Sequence, residues 1–254
     1  MPRPRTRSSG FSPSAEVLAA LLAAAALLAA AAEPTVLEVG KFSAARPGGP
    51  LPTGWRPLEF RKIPRHTDYR LVVDGETVVV EARSQAAASG LVRPLHLDPT
   101  GYPILEWRWR VLNLIDKANV HEKSGDDYPA RIYVTFEYDP SRLGFIERSK
   151  FEAVKLLYGE YPPLAAIDYI WEAHAPQGTI VPNPYSGRVE MFVVESGRER
   201  LGTWIAERRD VLADYRRAFG EDPPAISGVA LMTDTDNTGE SATAYYGDIV
   251  FRKR

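Results

Sequence analysis

Tyr69-Arg-Leu-Val-Val-Asp-Gly-Glu-Thr-Val-Val-Val-Glu-Ala82 decides the fold class. Two β-branched runs flank Asp74-Gly75, a dipeptide suited to a two-residue hairpin turn, so the stretch is read as two antiparallel strands. Working outward, residues 36–42 and 55–60 are short extended runs around a Pro/Gly-rich loop at 46–54, and 90–97 follows a small-residue loop at 84–89. Leu105-Glu-Trp-Arg-Trp-Arg-Val111 alternates apolar with charged residues, and Ile132-Tyr-Val-Thr-Phe-Glu-Tyr138 alternates apolar with polar ones. Strand alternation puts the tryptophans on one face and Arg108 and Arg110 on the other. In the second run, Arg131, Tyr133 and Glu137 take the polar face. Residues 189–195, 226–233 and 243–251 are further strands, whereas 165–173 and 202–208 fit no single period.

Helical spacing enters twice. Ile146, Lys150, Val154 and Leu157 share a face ahead of Gly159, which predicts a helical insertion at about 141–160. Residues 210–219 form the second, with Asp210 as N-cap and Gly220 as stop. Eight to ten strands with two helical insertions predict a mainly β fold, an antiparallel two-sheet sandwich of jelly-roll type. Helices do not alternate with strands, which disfavours parallel α/β.

The N-terminus has a different grammar. Arg3, Arg5 and Arg7 precede an Ala-rich apolar run at 17–32 that ends in Ala-Ala-Ala before Glu33-Pro34. Such a segment is expected to be an export signal, residues 1–32, leaving 33–254 as one domain in the periplasm or outside the cell. An uncleaved anchor is the other reading, but the run is short against the ~20 apolar residues a spanning helix needs. Loss of the segment takes the formal charge from −2 to −4. A mildly acidic chain argues against nucleic acid or an anionic membrane as partner. The absence of cysteine excludes disulfides, thiolate metal sites and a cysteine nucleophile, so the fold relies on its core.

No G-x-S-x-G elbow, phosphate loop or H-E-x-x-H motif is present, and His66, His96, His121 and His174 lack metal-ligand spacing. Met232-Thr-Asp-Thr-Asp-Asn-Thr-Gly-Glu240 carries the densest chemistry. Asp234, Asp236, Asn237 and Glu240 offer oxygens for a calcium ion, although a helix-loop-helix calcium loop is ruled out by Thr238 and Tyr245 at its fifth and twelfth positions. Asx capping of the turn's own amides is the alternative. Asp126 and Asp127 precede the strand bearing Arg131 and can pair with it. If the strands at 105–111 and 132–138 are neighbours, Arg108, Arg110, Arg131, Tyr133 and Glu137 form one polar surface, with Asp126 and Asp127 at its rim.

Several of these stretches, namely Leu51-Pro-Thr-Gly-Trp55, Ser89-Gly-Leu-Val-Arg93, Trp107-Arg-Trp109, Gly125-Asp-Asp-Tyr-Pro-Ala-Arg-Ile-Tyr-Val134, Gly178-Thr-Ile-Val-Pro-Asn-Pro184, Met232-Thr-Asp-Thr-Asp-Asn-Thr238 and Ala244-Tyr-Tyr-Gly-Asp-Ile249, resemble a family of exported bacterial proteins classed only as a domain of unknown function. The resemblance runs from about 42 to 251. It implies export and a β-sandwich similar to galactose-binding and carbohydrate-binding domains, and it supplies no reaction and no catalytic residues.

The expectation is therefore a sandwich that binds a polar small molecule, a glycan or cell-envelope saccharide, on a sheet face or loop rim. A carbohydrate-active hydrolase or lyase using Glu106, Glu137 or Glu195 is the second reading. A structural envelope protein docking another protein is the third.

Overall fold

The computed structural model describes residues 34–145, 148–149 and 163–254. The export segment and most of the helix expected at 141–160 lie outside the described residues. The described residues between 36 and 254 form one compact unit of two seven-stranded sheets. Among the described residues no helix is long and apolar enough to cross a membrane.

The first sheet contains β1 (Val36–Gly40), β3 (Asp68–Asp74), β4 (Thr77–Gln85), β6 (Ile104–Val111), β11 (Ile205–Asp210), β13 (Ser241–Tyr246) and β14 (Ile249–Arg252). Their order is β1-β14-β6-β13-β4-β3, with β11 on β6. The hairpin of β3 and β4 is present, but its turn is Gly75-Glu76, one residue later than expected. Asp74 pairs with Thr77, and Gly75 takes φ 62° at the first turn position. The closing stretch is two half-strands, β13 and β14. Both pair with β6, the break falls at Gly247-Asp248, and the Gly247 amide donates to the Arg108 carbonyl.

The second sheet runs β2 (Arg56–Leu58), β5 (Ala88–Leu97), β12 (Ile226–Asp234), β7 (Ala130–Phe136), β8 (Ala166–Glu172), β10 (Ser186–Ser196), β9 (Ile180–Asn183). All its pairings are antiparallel except β8 with β10, which is parallel. The fold is thus the expected mainly β sandwich, built among the described residues from more strands than the eight to ten read from the sequence.

The core fills the gap between the sheets. Trp107 packs on Tyr169 with ring centroids 5.3 Å apart, and Trp109 on Trp171 at 6.1 Å. Leu105, Val111, Ile132, Val134 and Phe136 are fully buried beside them. Helix α1 (Val211–Phe219) closes one end, Tyr215 lying 4.5 Å from Phe136. Its first turn is capped by the Asp210 carboxylate, which accepts from the Ala213 amide at 3.0 Å, and Gly220 ends it in the left-handed conformation.

This core corrects the polar surface expected from alternation. β6 and β7 are not neighbours, because their apolar faces enter the same core from opposite sheets. Their polar faces therefore point away from each other. Arg108 and Arg110 lie outside the first sheet, Arg131 and Tyr133 outside the second, and Glu137 lies just beyond the end of β7, bonded to His96.

Candidate functional site

On the outer side of the second sheet, alternation brings Arg131 and Tyr133 of β7, Asp168 and Glu172 of β8 and Asp234 of β12 to one face. Arg131 is 1% exposed, an exceptional place for a guanidinium without partners. Its Nε donates to Asp234 Oδ1 at 2.9 Å, its Nη2 to Asp234 Oδ2 and the Asp126 carbonyl, and its Nη1 to the Tyr133 hydroxyl at 2.9 Å and Asp168 Oδ2 at 3.3 Å. Tyr128 lies over the guanidinium, 4.4 Å from centroid to Cζ. Asp126 binds the Asn183 amide through both oxygens.

Burial pushes the Asp168 and Asp234 carboxyls upward, and the geometry selects which holds a proton. Asp234 receives two guanidinium N–H groups and the Tyr128 amide at 3.2 Å. Asp168 has one long guanidinium contact, and its Oδ1 makes no hydrogen bond. Burial therefore dominates at Asp168 and raises it to about 7, against the opposing pull of Arg131. Outside this network another raised carboxyl, Glu207, stands beside Glu195. Burial first, then the Glu195 charge, carries it to about 7, while Trp109 Nε1 donates to it at 3.3 Å.

Metal-binding potential centres on the loop after β12. Carboxylate oxygens of Asp127, Asp234 and Asp236 lie within 4.8 Å of one another. Asp234 is held by Arg131, and Asp127 accepts the Asn237 and Thr238 amides at 3.3 and 2.6 Å. Glu240 turns away to cap the amides of Asp116 and Lys117, both at 3.0 Å, and Asn237 donates to the Tyr185 hydroxyl. The oxygens expected as calcium ligands are thus spread over two neighbouring caps, with Asp127 rather than Glu240 beside Asp234 and Asp236.

The outer side of the first sheet is built differently. Trp204, just before β11, and Tyr245 of β13 stand beside Arg108 and Arg110 of β6. Arg108 Cζ is 4.7 Å from the Trp204 ring, and Arg110 Cζ is 5.3 Å from Trp204 and 4.5 Å from Tyr245. Asp74 fixes this layer by accepting from Arg110 at 2.8 Å and from Trp204 Nε1 at 2.6 Å. Glu81 accepts from the Tyr245 hydroxyl at 2.9 Å and from Arg83 at 2.8 Å. Rings, planar cations and carboxylates alternate across a half-exposed sheet face.

Residues 53–250 match the model of a family described as "Protein of unknown function (DUF3047)". The chain belongs to this family. No curated protein matches the DUF3047 chain. Among solved structures it is similar to the family 11 carbohydrate-binding module of the cellulosomal cellulase Lic26A-Cel5E of Clostridium thermocellum, at 10% identity and TM-score 0.42, covering 88% of this chain and 97% of that one. It is also similar to the carbohydrate recognition domain of Emp47p, at 9% identity and TM-score 0.43, covering 87% and 96%.

In this DUF3047 chain, then, Asp126, Asp127, Arg131 and Tyr133 do gather, but in a buried network rather than on a shared surface with Arg108 and Arg110. Sequence reading missed Asp168, Trp204, Tyr245 and Asp74. Trp204 sat in a stretch whose period is blurred by the inward-facing Glu207 and Arg209, which pair with Trp107 and Leu105.

Proposed function

We propose that this protein is a saccharide-binding β-sandwich that takes its ligand on the outer face of the first sheet. The layer of Arg108, Trp204, Arg110 and Tyr245 supports this reading. Aromatic faces suit the apolar faces of sugar rings, and fixed guanidinium and carboxylate groups suit their hydroxyls. Asp74 holds two of the four groups in place, so little side-chain freedom is lost when a ligand arrives. The buried Arg131 network instead ties β7, β8 and β12 to the 126–128 and 235–239 loops, and we assign it to structure. Together with the export segment read from residues 1–32, the proposal places binding outside the cytoplasm, on cell-envelope or environmental glycans.

The test is a glycan array followed by calorimetry on the hits, with product analysis to separate binding from turnover. Trp204→Ala and Tyr245→Ala are expected to abolish binding while the melting transition persists. Undiminished binding by both variants would remove the ligand from this face, and cleavage of a bound glycan would replace the binding reading with a hydrolase or lyase.

A further inference from the structure

Arginine is abundant on the outer face of the first sheet, and nearly every one of these side chains has a carboxylate. Arg70 pairs with Asp68 at 2.7 Å, Arg83 with Glu81 at 2.8 Å, Arg110 with Asp74 at 2.8 Å, and Arg208 and Arg252 both with Glu106. Arg108, at the centre of β6, has no carboxylate or other hydrogen-bond partner for its guanidinium among the described residues. It is nonetheless held in place. Its Cζ sits over Trp204, and its stem crosses the break between β13 and β14 so closely that a Cβ on Gly247 would lie 2.5 Å from both its Cγ and its Nε. Directly across in the register is Ala206, exposed and too small to fill the space beside the guanidinium.

Charge points the same way. Glu106, the carboxylate at i−2 on β6, is already shared by Arg208 and Arg252, so two guanidinium groups take one carboxylate and Arg108 is left unpaired. A planar cation with a rigid fork of N–H donors, oriented by stacking and left without an acceptor, is matched by a planar anion. Resting on the binding reading above, we infer that the saccharide is acidic, a glycan of uronic acid residues whose carboxylate takes the Arg108 fork while its sugar ring lies along the Trp204 and Tyr245 layer. Gly247 is the positioning residue, because any side chain there displaces Arg108.

The experiment uses oligomers of galacturonate, mannuronate and guluronate, each as the free acid and as its methyl ester, so that only the charge differs within a pair. Calorimetry on the wild-type protein is expected to favour the acid of one pair by about tenfold or more, the scale of a charge-assisted hydrogen bond. Arg108→Gln should bring acid and ester to equal affinity at an unchanged melting temperature, and Arg108→Lys should restore only part of the preference, since an ammonium cannot bind bidentately. Gly247→Ala should also reduce the acid-to-ester ratio. Equal affinity for acid and ester, or full acid preference in Arg108→Gln, would overturn the acidic-ligand inference while the saccharide platform stands. Binding confined to neutral glycans would do the same, and failure of every glycan, acidic or neutral, to bind would sink both readings.

Discussion

Asp168→Asn tests the electrostatics of the buried network. Asp168 is fully buried, contacts Arg131 at 3.3 Å through one oxygen, and its carboxyl is raised from 3.8 to about 7 by that burial. Below pH 3.8 both folded and unfolded chains carry the proton, so the contribution to stability is fully present there. As pH rises the unfolded chain ionises first while the fold keeps its proton. Stability then falls by ~1.4 kcal/mol per pH unit until the folded carboxyl also ionises near 7. The rise from 3.8 to about 7 amounts to ~4 kcal/mol over the whole window, of which ~2 kcal/mol should be lost between about pH 5.5 and 8. Asparagine mimics the protonated acid, since its carbonyl can accept from Arg131 and its amide replaces the hydroxyl. Urea unfolding of the variant should therefore show a shallower decline over this window and a cost at pH 5.5 below about 1.5 kcal/mol. Were Asp168 an ionised partner of Arg131, removing it would break a buried ion pair at a cost of ~3–5 kcal/mol. A loss of that size at about pH 5.5, with an unchanged pH slope, would refute the assignment of the proton.

Three further outcomes are expected. Trp109→Ala, which empties a fully buried site between Trp107 and Trp171, should cost about 3–5 kcal/mol in chemical denaturation, and a cost under about 1 kcal/mol would contradict the packing. Ala86→Gly should raise stability by up to ~1 kcal/mol, because Ala86 takes φ 45° in the β4–β5 turn, where a Cβ is disfavoured; destabilisation would show that the methyl group matters more than the backbone. Millimolar calcium should leave the melting temperature unchanged, since the oxygens of Asp127 and Asp234 are already occupied by amides and by Arg131; a rise that Asp236→Ala abolishes would assign an ion to this loop.

The parts of the fold that were legible are those where one strand face is buried and the other wet. β6 shows its Trp107 and Trp109 face by alternation alone, and α1 shows its ends through Asp210 and Gly220. β8 was ambiguous because all seven of its residues are buried, so polar Asp168 and Glu172 lie among apolar neighbours without marking a solvent face. In the other sheet β11, paired with β6, was obscured for the opposite reason, with Glu207 and Arg209 turned toward the core side and Ala206 outward. In each case an ionisable side chain is turned inside, where sequence alternation alone expects an apolar one. Arg209 is bound to Asp214 at 2.6 Å, a local link from β11 to α1, whereas Arg131 is bound to Asp234 from a distant stretch of chain.

The misplaced surface follows from the same physics. Alternation states which side chains share a face of one strand, and it carries no information about which strands share a sheet. Two strands with matched apolar faces can sit side by side or face each other across a core, and only pairing separates the cases. β6 and β7 are of the second kind. Their arginines consequently have opposite environments. Arg131 is sealed among carboxylates that neutralise it, whereas Arg108 stands on the open face with its stem over Gly247 and no carboxylate within reach among the described residues. A buried, fully partnered guanidinium has no donor left for a ligand. On the saccharide-binding reading proposed above, the ligand therefore falls to the sheet on which the charge was left unmatched.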